Sequence, residues 1–322
     1  PMLVLGAFVG AVVTARIAAA AWRGRADSAV GGTIVRWLGA AALLAGAAVL
    51  TYLFVWPAMR VAPQETVRKM LAYAAEGAGQ PREAVFFAGR VTPDPGIALY
   101  LAAIPWRMTP LSLVGAVIGV AVAVREARRG RWTAAVLLAW AAVFVLAMGA
   151  GAKKFERYML PALPALDVVA AVGLAAIVTS RRRGAIVLAA AVAVQSVAVI
   201  AHHPYYLAWY NPLLGSGPAA ARVLPVGWGE GSDQVVDWLA DHPGADGGPA
   251  VVATASDTLV GYRFEGTVVP PKRWRDADWL VVMIDDRQIG EPEEILAAVG
   301  DRPPEHVVRL NGIDYAWIWA RP

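Results

Sequence analysis

Three cations, Lys153, Lys154 and Arg157, stand with Tyr158 in one short connection between two long apolar segments. Were that connection helical, Lys153 and Arg157 would be i,i+4 neighbours facing the same way. Cations at the rim of a membrane suit a lipid-linked phosphate or pyrophosphate. Arg binds phosphate through two parallel hydrogen bonds and Lys acts as a point charge, at the depth where headgroups lie. Tyr158 could stack on a sugar or anchor the chain in the interface. The same cations could instead simply reach outward to lipid headgroups. The pattern alone leaves both readings open.

Other residues carry chemistry in isolation. Asp167 lies inside the apolar segment Tyr158–Thr179, where an acid is costly and points to function by default. Backbone freed by proline, water, Gln195 or Ser196 could equally satisfy it. Asp94, in Val91-Thr-Pro-Asp-Pro-Gly96, is a candidate general base. The commoner role of Asp in such a stretch is to make the turn. His202, His203, Tyr205, Tyr206, Trp209 and Tyr210 cluster after the last apolar segment and read as an interfacial aromatic belt. Adjacent histidines make a poor metal pair, because their side chains diverge. Gly227-Trp-Gly-Glu-Gly231 precedes a predicted helix and could bind an anion. It lacks the spacing of a nucleotide-binding loop.

These residues must be positioned by a membrane protein. The chain is 58% hydrophobic and 17% charged, where soluble domains carry about 25% charged residues. The small basic excess, 29 Lys+Arg against 25 Asp+Glu, fits topology and lipid phosphate rather than nucleic acid. Without cysteine there is no disulfide and no thiolate site. Apolar runs predict six spans: Met2–Trp22, Ile34–Trp56, Pro110–Val124, Trp132–Ala150, Tyr158–Thr179 and Ala185–Ala201. Arg16 would reach out from the cytoplasmic end of the first. Basic turns fall on alternate sides of the series: Arg23, Arg25 and Arg36; then Arg125, Arg128, Arg129 and Arg131; then Arg181–Arg183. The positive-inside rule makes that side cytoplasmic. Segment 57–109, the 151–157 connection and the tail from His202 are then outside, which leaves Lys153, Lys154 and Arg157 as a basic cluster on the unexpected side. Within 57–109, residues Gln64–Glu76 place Val67, Met70, Leu71 and Ala74 on one face of an interfacial helix started by Pro63. Ile97–Trp106 is too short to span and reads as interfacial or re-entrant. The organisation expected is thus a transmembrane helical domain over 1–201 and an extracytoplasmic α/β domain over 202–322. In the latter, Ala250–Ala255 and Trp279–Ile284 read as buried strands. His306–Leu310 and Tyr315–Ala320 read as a hairpin around Asn311-Gly312. Ser232–Leu239, capped by Ser232 or Asp233, and Pro292–Val299 read as helices.

Lys-Lys-Phe-Glu-Arg-Tyr-Met-Leu-Pro-Ala-Leu-Pro at 153–164 resembles a K-x-x-R-Y-x-L-P-x-x-P signature. That signature belongs to bacterial membrane glycosyltransferases of family 39, the dolichyl-phosphate-mannose-protein mannosyltransferase type with the GT-C fold. Tyr206-x-x-x-Tyr210-Asn-Pro-Leu-Leu-Gly215, Val226–Asp233, Pro304–Tyr315, Thr92-x-Asp94-Pro-Gly96 and Arg107-x-Thr-Pro110 are similar to further segments of such proteins. The likeness covers nearly the whole chain and suggests its C-terminal part. It implies transfer of a sugar, a mannose-like hexose, from a polyprenyl-phosphate donor to a protein or lipid acceptor on the outer face of the cytoplasmic membrane. It implies that Lys153, Lys154, Arg157 and Tyr158 hold the donor phosphate, which leaves as a charged polyprenyl phosphate. It also implies an acidic general base in a first outer loop. No acid occurs in Met2–Trp22, so that base is expected upstream of Pro1 and the chain alone is expected to be inactive. No cofactor follows from the residues, although a divalent cation is compatible with the family. Alternatives are an aminoarabinose-type sugar-to-lipid transferase, or a transporter or lipid-binding membrane protein without chemistry. The last is disfavoured because no internal repeat is visible and Pro161 and Pro164 sit near a helix end rather than at midplane.

Overall fold

The computed structural model describes residues 8, 10–15, 29–79, 84–178 and 180–322. Of the first expected span, only residues 8 and 10–15 are among them, and these are helical. The rest of that span, with Arg16, and the following Arg23 and Arg25, lie outside the described residues. The chain divides into two compact units, Pro1–Pro81 with Gly151–Lys153, and Arg82–Ala150 with Lys154–Pro322.

In the first unit, helix α1 (Ala29–Val55) is apolar and has no charge in its first or last turn. Trp56 breaks it. Two helices follow, α2 (Pro57–Val61) and α3 (Pro63–Gly79), each opened by a proline whose missing N–H is not needed there. Helix α3 is the amphipathic helix expected over 64–76. Its Val67, Met70 and Leu71 are exposed, and Glu65 pairs with Lys69 one turn on, at 2.8 Å.

The second unit begins with a hairpin of β1 (Val85–Phe87) and β2 (Arg90–Thr92). Ala88 N–H donates to Val223 O at 2.8 Å, which ties this hairpin to the tail. Helix α4 (Ala98–Arg107), expected as an interfacial or re-entrant segment, buries Leu99, Tyr100, Ala103 and Trp106. Three long apolar helices are α5 (Pro110–Arg128), α6 (Thr133–Ala150) and α8 (Arg181–Ala201). Thr109 caps α5 by accepting from Ser112 N–H at 3.2 Å, and Ser180 caps α8 from Arg183 N–H at 3.3 Å. Together with Leu38–Val55 of α1, four helices among the described residues are long and apolar enough to cross a membrane. The protein is therefore mostly helical and membrane-compatible, with four of the six expected spans met among the described residues.

Of the two expected spans not among these, Met2–Trp22 lies mostly outside the described residues and Tyr158–Thr179 is shorter than expected. Residues 156–159 form a 3-10 turn, and α7 runs only from Leu163 to Ala176, with a proline in its first turn. Proline cannot donate to a preceding turn, so Pro161 and Pro164 keep the helix from extending backwards. At 14 residues, α7 reaches about 21 Å, against roughly 30 Å of bilayer hydrocarbon.

Helices α5 and α7 meet through small residues, Gly115, Gly119 and Ala123 against Ala165, Val169, Ala170 and Gly173. Absence of side chains lets the backbones approach closely. A Cβ on Gly119 would stand 2.2 Å from Val169 O, and one on Gly173 would stand 2.2 Å from Gly115 O.

The tail carries a five-stranded sheet in the order β4-β3-β5-β7-β6, formed by β3 (Val251–Ala253), β4 (Thr267–Val269), β5 (Trp279–Met283), β6 (His306–Leu310) and β7 (Ile313–Ala320). β3 is parallel to β4 and β5, whereas β7 is antiparallel to both β5 and β6. Helix α11 (Asp257–Gly261) connects β3 to β4. The β6–β7 turn places Asn311 and Gly312 at φ 50° and 77°, the pair of positive φ values that an Asn-Gly hairpin turn uses. Leu280, Val282 and Trp319 pack on Ile295 and Val299 of α13 (Glu293–Val299) in the core. Before the sheet come the short α9 (Ser216–Ala220) and α10 (Ser232–Ala240). Neither Ser232 nor Asp233 caps α10: its N-cap is Gly231, at φ 82°, a conformation that costs little without a Cβ. Asp233 instead accepts from the Tyr205 hydroxyl at 2.6 Å. Helix α12 (Ile284–Gln288) follows β5.

Gly173→Ala should force α7 away from α5 and lower stability by about 1–3 kcal/mol, while Val172→Ala on the exposed side should change it little. Thermal unfolding in detergent compares them; equal midpoints would mean the two backbones do not meet so closely.

Candidate functional site

The site forms where α4 ends, the 3-10 turn 156–159 begins, and the tail folds back. Arg107 is its centre. One Nη donates to Leu207 O at 2.7 Å and to Trp209 O at 3.0 Å. The other donates to the Tyr210 hydroxyl at 2.9 Å and to Glu156 Oε1, with which it forms an ion pair. Glu156 is buried, and its Oε2, like the Tyr315 hydroxyl, has no hydrogen-bond partner among the described residues. Asn211 locks the same corner. Its Nδ2 donates to Pro105 O at 3.0 Å and its N–H to Trp106 O at 2.8 Å, which satisfies carbonyls at the end of α4.

Burial raises the Glu156 carboxyl above its ordinary range, and the Arg107 guanidinium opposes that rise. Burial alone would depress Arg107, but the Glu156 carboxylate outweighs it and keeps the guanidinium firmly charged. Burial also raises the hydroxyls of Tyr210 and Tyr315, and pushes that of Tyr100 up to about 12. All three phenols are therefore neutral at physiological pH.

The four residues expected to bind phosphate are separated in role. Residues 151–155 are not helical, so the i,i+4 pairing of Lys153 with Arg157 does not arise. Two prolines downstream and the 3-10 turn deny the connection a helical start. Lys153 groups with the first unit. Lys154 is 1% exposed; its ammonium donates to Gly149 O at 2.8 Å and pairs with Asp94 at 3.6 Å. It holds the connection in place. Arg157 is half-buried against two aromatic rings: its guanidinium lies 3.9 Å from the Phe155 ring centre and 4.7 Å from that of Trp228. Tyr158 meets Phe155 edge to face at 5.4 Å.

Asp94 makes its turn, accepting from Gly96 N–H at 2.7 Å, and is exposed. The aromatic cluster after α8 is split. Tyr210 is buried beside Arg107, whereas His203 Nδ1 and the Tyr206 hydroxyl are 2.6 Å apart near the surface. The glycine-rich loop 227–231 engages its own acid, since Trp228 N–H donates to Glu230 at 2.6 Å.

Two cavities flank the Arg107–Glu156 pair. Arg107 lines a cleft of 570 Å³ bounded by α5, α7 and α8, with Thr109, Ser112, Asp167 and Gln195 among otherwise apolar walls. Glu156 lines a pocket of 210 Å³ shared with Arg157, Trp228 and Asp285. The cleft has a direction. Arg107, Thr109, Ser112, Asp167 and Gln195 all sit toward the same helix ends, while Ala175, Val178 and Gly184 line the other, apolar end.

Sequence reasoning missed Arg107, Glu156, Tyr210, Tyr315 and Asp285 as site residues. One signal was present: Glu156 is the lone acid among the cations of 153–157.

No family model, no curated protein and no solved structure matches this chain.

Removing one partner of a buried ion pair strands the other. Glu156→Leu alone should cost about 3–5 kcal/mol, and Arg107→Met combined with Glu156→Leu should recover a large part of it. Denaturant unfolding of both variants in micelles checks this; a double variant as unstable as the single one would refute the coupling.

Proposed function

We propose that this chain is the C-terminal part of an integral-membrane glycosyltransferase, which moves a mannose-like hexose from a polyprenyl-phosphate donor to a protein or lipid acceptor on the outer membrane face. The observation that carries the reading is the graded cleft along α5, α7 and α8. Its apolar end suits a prenyl chain, and its polar end closes on Arg107. That guanidinium is hydrogen-bonded to Glu156, inside the stretch 153–164 on which the family resemblance rests.

In this reading the acceptor hydroxyl gives its proton to a carboxylate general base and attacks the anomeric carbon, the bond from that carbon to the phosphate oxygen breaks, and polyprenyl phosphate departs. The leaving phosphate gains charge as the bond breaks, so fixed cations lower the barrier. The cations available are Arg107, which lines the polar end of the cleft, and Arg157, which follows Arg107's partner Glu156 in the turn. Asp167, exposed in the first turns of α7, would meet hydroxyls or water at the polar end of the cleft. The same cleft could hold a lipid without any chemistry, as in a lipid-binding or transport protein. Transfer, not binding, separates the two.

The test is hexose transfer from a radiolabelled polyprenyl-phosphate hexose in membranes containing the full-length protein of which this chain is proposed to be a part. Arg157→Gln should lower the rate about a hundredfold. Ala171→Trp, which fills the cleft, should abolish it, while Val168→Trp on a face outside the cleft should leave it intact. Undiminished transfer in the first two variants would remove the assignment.

A further inference from the structure

The 210 Å³ pocket is not needed to hold a prenyl chain. Its walls come from the turn at 155–157, the loop at 225–228, α11 and α12. Three aromatic rings, Phe86, Phe155 and Trp228, border it, together with Arg157 and two acids, Glu156 and Asp285. Its place in the sheet is informative. β3, β4 and β5 run parallel, Asp285 follows the carboxyl end of β5, and Leu259 lies on the helix that follows β3. The crevice beyond the carboxyl ends of parallel strands is where ligands bind in open α/β sheets. Glu156 at its edge is buried and paired with Arg107, whereas Asp285 is only half-buried and is the more accessible acid of the lining.

We propose that this pocket binds a single neutral sugar ring. Aromatic faces cover the apolar C–H surface of a pyranose. Carboxylates accept from its hydroxyls, and a guanidinium donates to its oxygens. A cavity of 210 Å³ falls below the roughly 300–1,000 Å³ of drug-sized ligand sites, which limits the occupant to one ring. Glu156 is already neutralised by Arg107, so Arg157 faces Asp285 and the lining charges balance, which suits a neutral ring. Arg157 lines the pocket, so a ring bound there lies beside the bond that breaks in the transfer. That placement rests on the function proposed above; the binding itself does not.

The experiment is calorimetric titration of the intact protein in lipid nanodiscs with a panel of methyl hexopyranosides, and with ethanolamine as an amine probe. At least one hexoside should bind at millimolar concentration. Asp285→Asn should weaken it about tenfold or more, and Leu259→Trp, which fills the pocket, should abolish it, both with an unchanged thermal midpoint. Binding by this chain, with no transfer by the full-length protein, would support the pocket while removing the enzyme reading. Failure of every hexoside to bind, hexoside affinity equal to wild type in both variants, or binding of ethanolamine alone would overturn the inference even if transfer is found.

Discussion

The ion pair of Arg107 with Glu156 is the constraint on which the second unit depends. It joins the end of α4 to the turn that opens α7, and through Leu207 O, Trp209 O and the Tyr210 hydroxyl it draws in the start of the tail. Desolvating two charges costs several kcal/mol per ion before their attraction is counted. Such a pair is a poor source of net stability and a good way of fixing position. Every donor direction of a planar guanidinium must be met, so the elements that supply acceptors are held in register with one another. Asn211 and Lys154 do the same at smaller scale, each tying off a helix end with backbone carbonyls.

Helix packing and sheet packing follow different rules on either side of that pair. Among apolar helices, lipid is as good a solvent as another side chain, so close backbone approach through glycine and alanine decides which helices touch. Helix α8 has no buried residue and contributes only a wall. In the tail, water is the competitor, and burial of Leu280, Val282 and Trp319 drives assembly in the ordinary way.

Local patterns were legible in the sequence. The long apolar helices, the amphipathic helix at 63–79, the Asn311-Gly312 hairpin and two of the buried strands follow from periodicity and turn chemistry. Strand β4, only Thr267–Val269, is too short to show a period. Helix α7 was overread because its apolar composition continues through residues where two prolines and a 3-10 turn forbid α-helix. The candidate site was legible only in outline. Its stretch was singled out for its cations, but Lys154 serves Asp94 and Gly149, and the acid among the cations proved central. Its partner Arg107 lies far back in the chain, and no spacing rule links residues that only the fold brings together.

One wall of the large cleft has a consequence for how it would fill. That wall is α8, which buries no residue and exposes Leu188. Were these helices to lie in a bilayer, a bound amphiphile would exchange with the surrounding lipid, and occupancy would follow its mole fraction among the lipids and not its concentration in water. Dilution into more membrane would then empty the cleft, whereas added buffer would not.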